Sequence, residues 1–379
     1  MPDLVERLLV QAVDISSVNV LLGGPGEAEL AAMVAEYLEG LGLKATRQPA
    51  DGGRGNVVAV LEGRLSPVIA FEAHMDTVAT SGSAQARAVR RAGCIHGRGA
   101  CDTKGSLVAM LEALRLLQSV PADSRCTVVF AATIDEEAGT SGVKQFVRDN
   151  QRLDLAVVGE PTGLANVIAH KGLLRFRIHA LGSPAHASRP QLGVNAVYAM
   201  TPILEALQRE ILPRLAAIEH SLVGHPTMAV TTISGGVAEN VVPAECTIGI
   251  DRRLNPGEDA TEALEMIDGA LAGPWAPGIR VVRDEPWLVL PPLNTAPDNR
   301  LVIAMSEARR RVLGSEGDVV GMPYGSNASW LSAAGVPTIV FGPGSIDHAH
   351  TDDEWIEIAD VVQAAQVLAE LACILAAPS

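Results

Sequence analysis

Aromatic residues are scarce, only 3% of a 379-residue chain that is 48% hydrophobic. Any large core must therefore be built from aliphatic side chains. Positive charge is also short: 29 Lys and Arg stand against 44 Asp and Glu, a formal charge of −15. No basic cluster offsets this, which argues against nucleic acid as a partner. Cysteine is sparse. Cys94, Cys101, Cys126, Cys246 and Cys373 are odd in number, scattered and free of any Cys-x-x-Cys pair. They are expected to be reduced thiols of a cytoplasmic protein. The opening Met1-Pro2-Asp3-Leu4-Val5-Glu6 lacks the charged-then-apolar pattern of an export signal. No apolar run is expected to be long enough to span a membrane, so no membrane partner is expected.

What the chain does have is carboxylates and imidazoles at the ends of apolar runs. Glu72-Ala73-His74-Met75-Asp76-Thr77-Val78 follows Pro67–Phe71, a run of buried-strand character. His74 and Asp76 are two residues apart and share a face, a spacing that suits a metal ligand and the carboxylate that orients it. Four more segments repeat the arrangement. Asp102 sits at a glycine-punctuated turn, His96–Gly105, ahead of a helix. Asp135-Glu136-Glu137 follows the strand Cys126–Ala132. Glu160 ends the short strand before Pro161. His350 lies in Ala349–Glu354, after the strand Thr338–Phe341. In open α/β sheets sites form at that edge. Two His and several carboxylates suit a two-zinc site better than calcium or an iron–sulfur cluster.

The order of elements indicates two domains. Gly23-Gly24-Pro25-Gly26 opens a helix over Glu27–Leu41, and strands at Asn56–Leu61 and Pro67–Phe71 precede a helix at Gly105–Ser119. Such alternation predicts an α/β sheet with helices on both faces. The middle changes character: strand Leu173–Leu181, helix Val194–Leu215, strands Thr227–Ile233 and Glu245–Asp251, helix Asp259–Leu271 and strand Ile279–Arg283. This β-α-β-β-α-β order is that of a ferredoxin-like α+β module. The expected organisation is a mixed-sheet domain of residues 1–172 and 288–379 with an inserted domain at 173–287. After Pro291 the α/β pattern resumes, with helices at Asn299–Leu313 and Ile358–Ala376.

These segments, in order and context, resemble the dinuclear zinc amidohydrolases that include acetylornithine deacetylase, succinyl-diaminopimelate desuccinylase, aminoacylase and carboxypeptidase G. The likeness covers essentially the whole chain. Gly182–Pro190, with its Ala-His-Ala core, and Gly235–Pro243 look like that family's lid motifs. The resemblance implies two Zn²⁺, which Co²⁺ could replace. His74, Asp102 and Glu160 would hold one, and Asp102, Glu137 and His350 the other, with Asp102 bridging. It implies that Asp76 fixes the His74 ring, that Glu136 is the general base, and that the Asp102-Thr103 peptide is cis. His186 is the candidate donor to the oxyanion of the tetrahedral intermediate. Arg253, in an Asp-x-Arg pattern, and Asn240 are candidates for gripping the substrate. It also implies a homodimer formed through a lid domain, with His186 able to act across it.

The expected function is metal-dependent hydrolysis of the amide bond of an N-acyl amino acid, closest to acetylornithine deacetylase. The runner-up is a dipeptidase or carboxypeptidase using the same metals; a succinyl-diaminopimelate desuccinylase comes after it. Gly321–Trp330 does not match the Gly-Gly-Thr-Ser-Asp form of those desuccinylases. A metal-binding protein without catalysis is the remote alternative. His348 competes with His350 for one ligand role, and the Ala-His-x-x-x-Glu spacing selects His350. Cys101 and Lys104, beside Asp102, are read as a small buried neighbour and a structural charge.

Overall fold

The strand Cys126–Thr133 is buried at all eight of its positions. A strand buried on both sides needs cover on both faces of its sheet, and that requirement organises the first of two units. In the computed structural model, which describes residues 2–79, 87–150 and 152–377, this unit comprises residues 1–168, 295–321 and 326–379. Its sheet runs Thr46–Pro49, Gly55–Leu61, Cys126–Thr133, Arg64–His74, Leu155–Val158, Thr338–Val340, Asn166–His170. The central four strands are parallel; those outside them pair antiparallel. This is the mixed α/β architecture that the alternating pattern predicts.

The helix Ile358–Ala376 packs against Gly105–Gln118 and Arg300–Leu313 and against the strands Cys126–Thr133 and Arg64–His74. With mean hydropathy 1.7 over 19 residues it is long and apolar enough to cross a membrane. The expectation that no segment has that length is therefore corrected. Ten of its residues, from Ile358 to Ala376, are buried in the protein's own core. Helices Ser141–Asp149 and Ala328–Ala333 pack on one another and on other strands of the sheet.

The second unit comprises residues 169–294 and 322–325. Its antiparallel sheet runs Thr227–Gly235, Glu245–Leu254, Gly172–Leu181, Arg280–Arg283. In chain order Gly172–Leu181 is strand one, and the spatial order 4-1-3-2 is that of the ferredoxin-like module. Leu174, Phe176, Ile178 and Ala180 alternate along the first strand. They pack with Ile203, Ile248, Ile250 and Ile267 in one core. The stretch read as a single helix over Val194–Leu215 is broken. It runs Ala196–Ala206, then a wider turn Leu207–Ile211, then Leu212–Ala216. Pro213 has no N–H to continue the helical ladder, which accounts for the break at its C-terminal end.

His170 is fully buried in this unit, and its Nδ1 donates to the carbonyl of Lys171 at 3.0 Å. Burial pushes its pKa down to about 4 from the ordinary 6.5, so the folded ring stays neutral. The unfolded chain takes up a proton first as pH falls, so stability is lost between about 6.5 and about 4. Urea unfolding should show this as a slope of roughly 1.4 kcal/mol per pH unit in that window. His170→Gln should lack that component, and an unchanged slope in the variant would refute the assignment.

Candidate metal centre

Parallel strands deliver their C-terminal ends to one edge. His74 ends its strand opposite Thr133, and Glu136 and Glu137 follow Thr133 by three and four residues. Glu160 follows Val158, which pairs with Glu72 on one side and Val340 on the other. The convergence at this edge brings His350 beside Glu137, 213 residues away in sequence.

Two groups of ligand atoms result. His74, Asp102 and Glu160 form one, and Asp102, Glu137 and His350 the other; within each, the atoms lie within 4.8 Å of one another. His74 Nε2 is 3.1 Å from Asp102 Oδ1 and 4.0 Å from Glu160 Oε1. His350 Nε2 is 3.3 Å from Asp102 Oδ2 and 3.1 Å from Glu137 Oε1. The two oxygens of Asp102 therefore face different groups, the geometry of a bridging carboxylate. The Asp102–Thr103 peptide is cis. His350 and Asp135 have φ of 60° and 67°, a left-handed backbone that costs energy for a side-chain-bearing residue and recurs at functional sites.

Asp76 meets the His74 ring through both its carbonyl and its carboxylate. The ring Nδ1 donates to the backbone carbonyl of Asp76 at 2.9 Å, with the Asp76 carboxylate at 3.5 Å. With Nδ1 engaged in this way, Nε2 is the ring atom presented to the ligand group. The Asp76 carboxylate also accepts from the backbone N–H of Glu136 at 2.9 Å and of Glu137 at 3.0 Å. It holds the turn that carries the expected base and a ligand.

The electrostatics fit divalent cations. Burial raises the carboxyls of Glu136, Glu137 and Glu160; among the charges around them, Asp102 pushes all three further up. Burial alone would raise Asp102 as well, but hydrogen bonds from His350 and His74 outweigh it and keep it low. Hydrogen bonds to Asp102 and Glu137 raise His350 to about 10. Divalent cations would relieve the same repulsion, and binding them would displace protons from these groups. Oxygen and imidazole donors without thiolate match a hard to borderline divalent metal.

The neighbours behave as bystanders. His348 stacks on Trp355 at 4.1 Å, and His96 pairs with Asp353 at 3.2 Å. Cys101 is buried and donates to the Ser345 carbonyl, and buried Lys104 donates to the Ile15 carbonyl at 2.7 Å.

In the second unit, backbone bonds from Val242 to Ala185 and from Ala187 to Asn240 bring the two glycine-flanked motifs together. An isolated antiparallel bridge pairs His186 with Val241, the residue after Asn240. The Ser188 N–H donates to His186 Nδ1 at 3.1 Å, which leaves the neutral ring's proton on Nε2, ready to donate. Arg253 is paired with Asp251 at 2.8 Å, and Asp251 also accepts from Arg175 at 3.0 Å. Arg252 is buried on the opposite face with Glu258.

Glu354 escaped the sequence reading except as a spacing mark. Its buried carboxylate accepts from the backbone N–H of Gly99, Cys101 and Asp102 at 3.0, 2.9 and 2.9 Å, and from Arg98 at 2.6 Å. One side chain thus ties the Asp102 turn to the segment that carries His350. Glu354→Ala should cost about 3–5 kcal/mol of stability, because it leaves these donors unpaired. It should also weaken metal binding about 10–100-fold in competition with a chromophoric chelator. Wild-type affinity in a folded Glu354→Ala variant would sink this role.

The profile of Peptidase family M20/M25/M40 matches residues 70–373. Three solved structures share the fold over nearly the whole length. A tripeptidase from Staphylococcus aureus is 22% identical with TM-score 0.81, over 99% of each chain. A metallo-carboxypeptidase from Sulfolobus solfataricus is 20% identical with TM-score 0.79, over 98% of this chain and 99% of that one. A dinuclear metal-binding peptidase from Bacillus subtilis is 18% identical with TM-score 0.73, over 98% of each. The chain belongs to Peptidase family M20/M25/M40 and is a metal-dependent hydrolase.

Proposed function

We propose that this enzyme hydrolyses the amide bond of a small amino-acid derivative at a two-metal centre, with Glu136 as general base. The observation that carries the proposal is the pair of ligand groups sharing Asp102, with Glu136 adjoining Glu137 on the turn held by Asp76. His74, Asp102 and Glu160 would hold one Zn²⁺, and Asp102, Glu137 and His350 the other. Co²⁺ would substitute. Bound divalent cations would polarise the scissile carbonyl and acidify a water.

The protein's own groups do the rest. Glu136 takes the proton from the attacking water and hands it to the leaving nitrogen; burial raises its carboxyl toward the operating range of a base. His186 donates from Nε2–H to the carbonyl oxygen as it turns negative. The Arg253 guanidinium receives the substrate carboxylate, for which it would exchange its partner Asp251, and Asn240 adds a polar contact.

For the substrate we hold an N-acyl amino acid, in the manner of acetylornithine deacetylase, against a short peptide. The short-peptide reading is favoured by the names of the structural relatives, a tripeptidase and a metallo-carboxypeptidase. Hydrolysis of an N-acetyl and N-succinyl amino acid panel beside a di- and tripeptide panel separates the two. Activity should vanish on chelation and return with Zn²⁺ or Co²⁺. Glu136→Gln should keep its metal and lose about 10²–10⁴-fold in kcat; near-normal turnover would overturn the mechanism.

We also propose a cytoplasmic homodimer. The described cysteines are all free thiols. The strand Thr227–Gly235 pairs on one side only among the described residues, and it exposes Val230 and Ile233 along an open edge. Such an edge is a template for pairing with a second copy. Ile233→Glu should shift the mass in light scattering from dimer to monomer, and an unchanged dimer would place the contact elsewhere.

A further inference from the structure

Asn19 lies far from every recognised motif, yet it is fully buried and every polar atom of its amide is engaged. Its Nδ2 donates to Asp76 Oδ2 at 2.7 Å and to Asp135 Oδ1 at 3.0 Å. Its Oδ1 accepts from the Leu21 N–H at 2.9 Å. That backbone donor settles which amide atom is oxygen, so both Nδ2 hydrogens are free for the two carboxylates.

Those carboxylates flank the expected base. Asp76 holds the backbone N–H groups of Glu136 and Glu137. Asp135 immediately precedes Glu136 at φ 67°, and its second oxygen accepts from Ser141 Oγ at 2.7 Å. Asp76 and Asp135 are both buried, and like charges so close repel. The Arg54 guanidinium lies 3.8 Å from Asp135 Oδ1, and the neutral Asn19 amide gives each carboxylate a donor without adding a further charge. The approach of Asn19 is itself fixed by backbone: its N–H donates to the Thr77 carbonyl at 3.0 Å, and Thr77 N donates to Ser17 at 3.1 Å.

We infer that Asn19 is a positioning residue of the hydrolytic centre. Its amide locks Asp76 and Asp135 together, and through them fixes the backbone that aims Glu136 and Glu137. This rests on the two-metal reading above. The bland alternative is that Asn19 only caps the exposed turn Val20–Leu22 through Leu21 N.

The two roles separate by substitution. Asp caps as well as Asn does, but it brings no donor and a third carboxylate. Leu21→Pro does the reverse: it deletes the capped N–H of a residue that is 66% exposed and leaves both amide donors in place. The experiment measures Zn²⁺ affinity by chelator competition, together with kcat and KM on the best substrate. It uses wild type, Asn19→Ala, Asn19→Asp and Leu21→Pro, each checked for folding by circular dichroism. Positioning requires Asn19→Ala to lose about 10–100-fold in affinity or kcat with KM within about threefold. Asn19→Asp should be no better than Asn19→Ala, and Leu21→Pro should stay near wild type.

Recovery in Asn19→Asp, or a matching loss in Leu21→Pro, would reduce Asn19 to a cap and overturn the inference. Should Asn19→Asp not fold, Asn19→Ala against Leu21→Pro gives the same decision. Wild-type protein that binds no metal and turns over nothing would refute the two-metal reading itself. An active wild type with an indistinguishable Asn19→Ala would refute only the role of Asn19.

Discussion

The crowding of buried carboxylates at one sheet edge is the constraint on which the rest of the first unit depends. Asp76, Asp102, Glu136, Glu137 and Glu160 approach one another with only two imidazoles as nearby cations. No protein adopts such an arrangement for its stability; burying like charges costs energy and raises every carboxyl that cannot find a donor. The surrounding structure absorbs that cost with directed backbone N–H groups. Asp76 receives two, Glu354 receives three, and Arg98 adds a full charge. Each donor is fixed by a turn, so the negative charge stays concentrated rather than splaying apart. Divalent cations are what such a cage is suited to receive.

Much of this was legible in the sequence because the ligands sit at strand ends, where an apolar run and a polar residue adjoin in the chain. His74, Glu137 and Glu160 announce themselves that way. The supporting residues do not. Asn19 meets Asp76 across 57 residues, and Glu354 meets Asp102 across 252. Asn19 reaches two carboxylates distant in the chain, and three of the partners of Glu354 are backbone N–H groups that carry no sequence signature. The same blindness explains the corrected membrane reading. Mean hydropathy marks Ile358–Ala376 as strongly apolar, but only packing against Gly105–Gln118 and Arg300–Leu313 shows where its apolar face goes.

Local pattern also found the right residues but only part of their geometry. The two-residue spacing of His74 and Asp76 suggests a ring held by a carboxylate. The structure adds the Asp76 carbonyl at the ring, and the carboxylate, 3.5 Å from Nδ1, also holds the Glu136–Glu137 turn. In the second unit, the one-residue alternation of a strand correctly sends Arg252 and Arg253 to opposite faces. Burial of Arg252 with Glu258 follows from that, as does the accessible pairing of Arg253 with Asp251.

The division of the chain has a consequence for the order of events at the ribosome. The first unit is written in three pieces, with residues 169–294 between the first and the second. Its sheet receives Thr338–Val340, and its core the helix Ile358–Ala376, only after that whole stretch has been translated. The buried core of the inserted unit lies between Leu174 and Leu271 and so has its partners first, although residues 322–325 join that unit later. Domains fold as units as they emerge. The first unit is thus the first begun and the last finished, and its half-made sheet must wait with His74, Asp102, Glu137 and Glu160 in place and His350 still unwritten. The second candidate ligand group closes only when His350, translated after the inserted unit, joins Asp102 and Glu137.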